Sequence, residues 1–158
     1  MDDRTGSGLR HHVTAQDASA DLDTDETTWA AACRELREGR KRSHWMWFVF
    51  PQVAGLGQSE MARRYAITSL AEARAYLRDP VLGPRLEEAA GAILAAPADR
   101  DAVAILGETD ARKLHASMTL FLRADPDRAT FRAVLDRFHG GEPDPATDRI
   151  LAAEAPGA

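Results

Sequence analysis

The chain has a single cysteine, Cys33, among 158 residues. No disulfide can therefore form within it, and a reducing compartment suits it. It has no apolar run near the roughly 20 residues needed to span a bilayer. Its start, MDDRTGSG, has no apolar stretch of the kind a secretory signal carries. A cytoplasmic protein that does not enter a membrane is expected. The chain also lacks a charge excess outside one short segment. Of its 25 acids and 20 bases, seven acids and two bases lie in residues 1–27, so residues 28–158 hold eighteen of each. A body this neutral argues against broad contact with a phosphate backbone, and nucleic acid is not an expected partner. Period-two alternation and hairpin turns between strand-like runs are missing as well, which argues against a sheet.

What is present is helical. At 158 residues the chain suits one domain with a real core. Trp29, Ala32, Cys33 and Leu36 fall at i, i+3, i+4 and i+7, and Gly39 is placed to end that helix. Phe131, Val134, Leu135 and Phe138 repeat the spacing, with Gly140 beyond them. Ser69 and Glu72 form a capping box, and Thr109 is placed to cap a helix carrying Leu114, Met118, Phe121 and Leu122 inward. Asp79-Pro80, Asp125-Pro126 and Asp144-Pro145 each read as a capping carboxylate before a proline at the first helical position. A single all-α domain of about six to eight short-to-medium helices is expected over residues 9–152. It has a disordered tail at 1–8, an acidic insertion loop at 17–26, a flexible tail at 153–158 and no internal repeat.

The most distinctive segment is Arg40–Gln52, RKRSHWMWFVFPQ. Trp45, Trp47, Phe48 and Phe50 are four of the ten aromatics, and three consecutive cations precede them. So continuous an apolar run must be buried on most sides, which makes Trp45–Phe50 core and leaves Arg40–His44 as its polar lead-in. This segment resembles the hallmark of a bacterial family labelled domain of unknown function 1810, whose members are often called calpastatin-like. The likeness continues in order: Gly55-Leu56-Gly57 with Ser59, Ala62 to Ile67 with Tyr65, Tyr76-Leu77, and Pro80-Val81-Leu82-Gly83 with Arg85-Leu86. It then runs through Asp110, Lys113-Leu114, Ser117 to Phe121, and Val134-Leu135 before Phe138 and Gly140, covering roughly residues 9–152. The resemblance implies a small all-helical domain. It implies no activity, because none is established for the family, and the calpastatin label implies no inhibitor mechanism. Two departures stand out: Ala18–Glu26 reads as an acidic insertion, and Asp79 stands where the family commonly has a histidine.

Candidate site residues are drawn from cations, rings and one hydroxyl. Arg42, His44, Trp47, Arg63, Arg64, Tyr65, Lys113 and Ser117 are expected to line a pocket for a small anionic ligand, nucleotide-like or phosphorylated. Asp110, Lys113 and Ser117 share one helix face. A lysine can activate a serine only if its amine is neutral and buried; otherwise the face is solvated and Asp110 and Lys113 form a weak i,i+3 ion pair. Gly55–Glu60 lacks the third glycine of a dinucleotide fingerprint and the Gly-Lys-Ser/Thr end of a phosphate loop, so it reads as a turn with Ser59 capping a helix. The five histidines show no metal-ligand spacing, and neither a metal nor a cofactor is expected. Whether the protein is an enzyme stays open. The competing reading is a protein–protein interaction module without catalytic activity.

Overall fold

A computed structural model describes residues 4–21 and 23–154, with side chains from Leu9 onward. Among the described residues the chain is all-α, with ten helices. In order they are α1 Arg4–Asp17, α2 Thr28–Glu38, α3 Met46–Val49, α4 Glu60–Arg64 and α5 Leu70–Arg78. Then come α6 Leu82–Leu94, α7 Ala102–Leu106, α8 Glu108–Ala124, α9 Ala129–Phe138 and α10 Pro145–Glu154. The count exceeds the expected six to eight because α3, α4 and α7 are single turns of four or five residues. The only β-type pairings are isolated bridges, Ser19 with Thr27 and Val53 with Ile67, among the described residues. Of the tails expected at 1–8 and 153–158, residues 1–3 and 155–158 lie outside the described residues, while α1 begins at Arg4 and α10 ends at Glu154. Residue 22 of the acidic stretch is likewise outside them.

The long helix α8 is the axis of the core. Leu114, Met118, Leu120, Phe121 and Leu122 are all buried, and α5, α7, α9 and α10 pack around them. The Phe121 ring lies 5.2 Å from that of Tyr76 and 6.2 Å from that of Phe131, tying α5, α8 and α9 into one aromatic cluster. On the far side of α5 and α9, α6 carries a second apolar face, with Leu82, Leu86, Ala89 and Ile93 buried, and packs against α2, α5 and α9. No helix is long and apolar enough to cross a membrane among the described residues.

Some helix ends follow the sequence reading and others do not. Ser59 and Ser69 cap α4 and α5, accepting hydrogen bonds from the Ala62 and Glu72 amides, and Gly39 ends α2 at φ 82°. Asp144 caps α10 as expected, accepting from the Thr147 amide at 3.1 Å, with Pro145 as first helical residue. The other two Asp-Pro pairs differ. Asp79 accepts from the Val81 and Leu82 amides, each at 2.9 Å, but α6 opens only at Leu82, two residues beyond Pro80. Asp125 caps no helix: its carboxylate pairs with Arg128 at 3.0 Å, while Glu87 of α6 takes Arg128 and Thr130, and α9 is held back to Ala129. Thr109 lies inside the first turn of α8, whose N-cap is Gly107. Here tertiary ion pairs override a local start signal.

Two glycines of α6 differ in sign. A Cβ on Gly83 would stand 2.1 Å from the Leu77 carbonyl oxygen, because α6 starts by crossing the end of α5 at backbone distance. A Cβ on Gly91, on the exposed face of the same helix, meets nothing within 4 Å. Gly83→Ala is therefore expected to destabilise by about 2 kcal/mol or more. Gly91→Ala should stabilise by about 0.5–1 kcal/mol through reduced backbone entropy. Urea denaturation of the two variants checks the opposite signs.

Candidate functional site

The segment between α2 and α3 has no regular structure, yet it is held at several points. Glu35, only 3% exposed near the end of α2, directs its carboxylate into it. Oε1 accepts from the Arg42 amide at 2.8 Å, the Ser43 amide at 3.1 Å and the Trp45 indole N–H at 2.9 Å, and Oε2 accepts from the Ser43 hydroxyl at 2.6 Å. Burial works to raise the pKa of this carboxyl, but the four donors together outweigh it and hold the group below the usual carboxylate range. Sequence reasoning missed Glu35. The readable signal was an acid on the apolar side of an amphipathic helix, beside Ala31, Ala32 and Leu36.

Fixed in this way, the three cations divide. Lys41 turns inward, 3.0 Å from Asp110 of α8 and with its ammonium 5.2 Å from the Trp45 ring centroid. Its amide donates to the Ile105 carbonyl at the end of α7. Asp110 also receives Lys113 at 3.5 Å, and the Lys113 ammonium lies 5.2 Å from the centroid of Trp47. Two lysines thus share one carboxylate, each beside an indole face. Arg40 and Arg42 instead point outward and, with Glu38, Gly39 and Arg100, line a groove of about 610 Å³. Arg100 anchors one wall, donating from Nε to the Gly39 carbonyl at 3.0 Å and from a terminal nitrogen to the Ala104 carbonyl at 2.8 Å. Glu38 lies 3.7 Å from Arg34, so the groove's one carboxylate already has a cation beside it.

The remaining candidates lie elsewhere. His44 is exposed and makes no hydrogen bond or ion pair among the described residues. Ser117 is fully buried, with a hydroxyl that finds no partner. A serine without exposure offers no reachable nucleophile, and Lys113 is engaged with Asp110. Among the described residues Arg63 reaches only Gln58, at 3.5 Å, and α4 is too short to develop a useful dipole. Arg64 and Tyr65 belong to a histidine cluster on α1. His11 donates to the Arg64 carbonyl at 2.8 Å and His12 to the Tyr65 carbonyl at 3.0 Å, while the His11 ring stacks on Tyr65 at 5.1 Å. These two adjacent histidines fasten consecutive carbonyls that α4 leaves unpaired. Burial, first of all, pushes His12 down to about 4, with the neighbouring His11 adding to the effect. This cluster shares no hydrogen bond, ion pair or ring contact with the lysine pair among the described residues.

Compared with known proteins, the chain matches the model of a family described as "Protein of unknown function (DUF1810)" over residues 8–151. It is similar to the conserved hypothetical protein Rv1873 from Mycobacterium tuberculosis, whose crystal structure is solved. The two are 44% identical over 91% of this chain and 96% of that one, with a TM-score of 0.83. No curated protein matches it.

Two outcomes are expected from this geometry. Glu35→Ala strands a buried indole N–H, two amides and a hydroxyl, and should cost about 4 kcal/mol in chemical denaturation. Glu35→Gln, which keeps one acceptor oxygen, should cost about half as much, and equal losses would contradict the account. The second concerns acid. An unfolded chain takes up a proton on His12 near its ordinary value of 6.5, whereas the folded chain resists until about 4. Stability is therefore full above 6.5 and falls as the pH drops from 6.5 to 4, by on the order of 3 kcal/mol from this residue. His139, held down to about 4 by burial and then by His115, works in the same direction. Urea midpoints measured across that window should fall steadily; a flat profile down to 4.5 refutes the assignment.

Proposed function

We propose a function from the geometry alone, because the chain belongs to the DUF1810 family, a family of unknown function. In this reading the protein binds a small phosphorylated anion, nucleotide-like in its phosphate group, in the groove of Arg40, Arg42 and Arg100. One observation carries it: three guanidinium side chains line one groove of about 610 Å³ whose single carboxylate, Glu38, lies 3.7 Å from Arg34. Arg40 and Arg42 have no carboxylate partner among the described residues, in a body that is otherwise charge-balanced. Planar guanidinium groups match phosphate oxygens bidentately, and clustered cations are unfavourable until an anion joins them. The volume lies within the ordinary range of small-molecule sites.

Lys41, Trp45, Trp47, Asp110 and Lys113 are the footing of this site and not its contact surface. Lys41 is anchored inward on Asp110, while Arg40 and Arg42 on either side of it are left exposed. The binding reading is favoured over an interaction module because the exposed large apolar side chains among the described residues are Val81 and Val103, too few for a docking face. A reducing, cytoplasmic setting belongs to the same proposal and rests on Cys33, buried and held up to about 12 by its burial.

Calorimetric titration at low salt with inorganic phosphate, pyrophosphate, ADP and uncharged adenosine tests the reading. Saturable binding is expected for the phosphorylated compounds and not for adenosine, weakening as salt rises. Arg42→Gln and Arg40→Gln should each raise Kd about tenfold. Absence of saturable heat with every phosphorylated compound overturns the proposal.

A further inference from the structure

A separate cavity of about 300 Å³ opens between α7, the start of α8 and the end of α9. Its apolar wall is made by Ala102, Val103, Ala111 and Phe138. Val103 is left 54% exposed, the most exposed large aliphatic side chain among the described residues. A pair of imidazoles, His115 and His139, also lines it, their rings parallel within 4° at 4.2 Å between centroids. His115 donates to the Glu142 carbonyl at 2.7 Å, which fixes its ring.

This histidine pair does not suit a metal. Ring nitrogens reach a single ion only when their lone pairs converge at about 2.0–2.1 Å from it, and parallel stacked rings point theirs side by side. No group of three or more histidine, cysteine or acidic side chains able to hold a metal occurs among the described residues. The pair supplies stacked ring surface to the cavity instead.

The charges at the rim are more informative. Glu108 and Arg112 both line the cavity, both are exposed, and they stand one helical turn apart in the order that favours pairing. They nevertheless form no ion pair among the described residues. The ion pairs of α8 are those of Asp110 with Lys41 and Lys113 and of Arg123 with Asp148. The third charge, Asp101, is committed as the cap of α7, accepting from the Ala104 amide at 2.8 Å. One unpaired anion and one unpaired cation thus flank an apolar recess at the small end of the range for ligand sites.

We infer that this cavity binds a free amino acid with an apolar side chain. Its carboxylate meets Arg112, its ammonium meets Glu108, and its side chain rests against Val103 and Phe138. A simple carboxylic acid would leave Glu108 unmatched, and a simple amine would leave Arg112 unmatched. A zwitterion satisfies both without changing the net charge of the site, and the recess takes a short aliphatic or single aromatic side chain.

The test is an amide-resolved NMR titration of the full chain with L-leucine and L-phenylalanine, run beside their N-acetyl and carboxamide forms. Free amino acids should give saturating shifts in α7 and the first turns of α8. Blocking either end of the ligand should weaken binding at least about tenfold. Arg112→Gln and Glu108→Gln, both exposed and so compatible with folding, should each weaken binding by a similar factor. No saturation with either amino acid overturns the inference. So does equal binding of an acetylated or amidated form, or sensitivity to only one of the two variants.

Discussion

The Glu35 carboxylate governs the most unusual part of this molecule. Four donors from three residues converge on it in a nearly water-free position. A buried charge without such partners is unstable, and a polar connecting segment without such an acceptor leaves its amides unpaired. Each therefore makes the other possible. Because Glu35 lies near the end of a regular helix, the position of an irregular segment is set by the position of α2. Trp45 enters the core with its indole N–H already satisfied, and α3 can begin immediately after it.

This arrangement divides a basic run that reads as uniform. Lys41 points toward α8 and Arg40 and Arg42 point away, although sequence offers no reason to treat them differently. Asp110 decides the matter, and Asp110 is 69 residues distant in the chain. The same carboxylate serves Lys113, which was legible as a local i,i+3 pair. The all-α class, the stripe on α2, the capping serines and the burial of Trp45–Phe50 apart from the half-buried Trp47 were legible because each depends on neighbours within a few residues. The Asp125-Pro126 start signal misled for the opposite reason: Glu87 of another helix competes for Arg128 and Thr130. Of the eight proposed site residues, Arg42 lines the basic groove, Lys113 and Trp47 connect to the same segment through Asp110 and Lys41, and the other five do neither. Residue type indicates which side chains can bind an anion, but only packing decides which of them meet.

The paired histidines of α1 show the same dependence on distance. Adjacent residues on a helix normally diverge, yet His11 and His12 both reach the loop that ends α4, because two successive carbonyls there need donors. His12 lies inside the core and must stay neutral to remain there. A group tuned in this way contributes a seal whose strength depends on pH, and its burial accounts for the lowered pKa by itself. A lowered histidine pKa is thus no sign of catalysis here.

The short helix α7 has the opposite character, since its importance exceeds its length. The Lys41 amide donates to its last turn at Ile105, Arg100 clamps it to Gly39 through the Ala104 carbonyl, and Asp101 caps its start. One face of this turn thereby braces the arginine groove, and the other forms part of the wall containing Val103. A five-residue helix has almost no stability of its own, so these contacts and its packing on α8 must supply it. In exchange, the backbone of the groove and its Arg100 wall are held by the fold itself. Under the proposed anion binding, ordering would fall on the exposed Arg40 and Arg42 side chains, a smaller cost than a mobile arginine loop would impose.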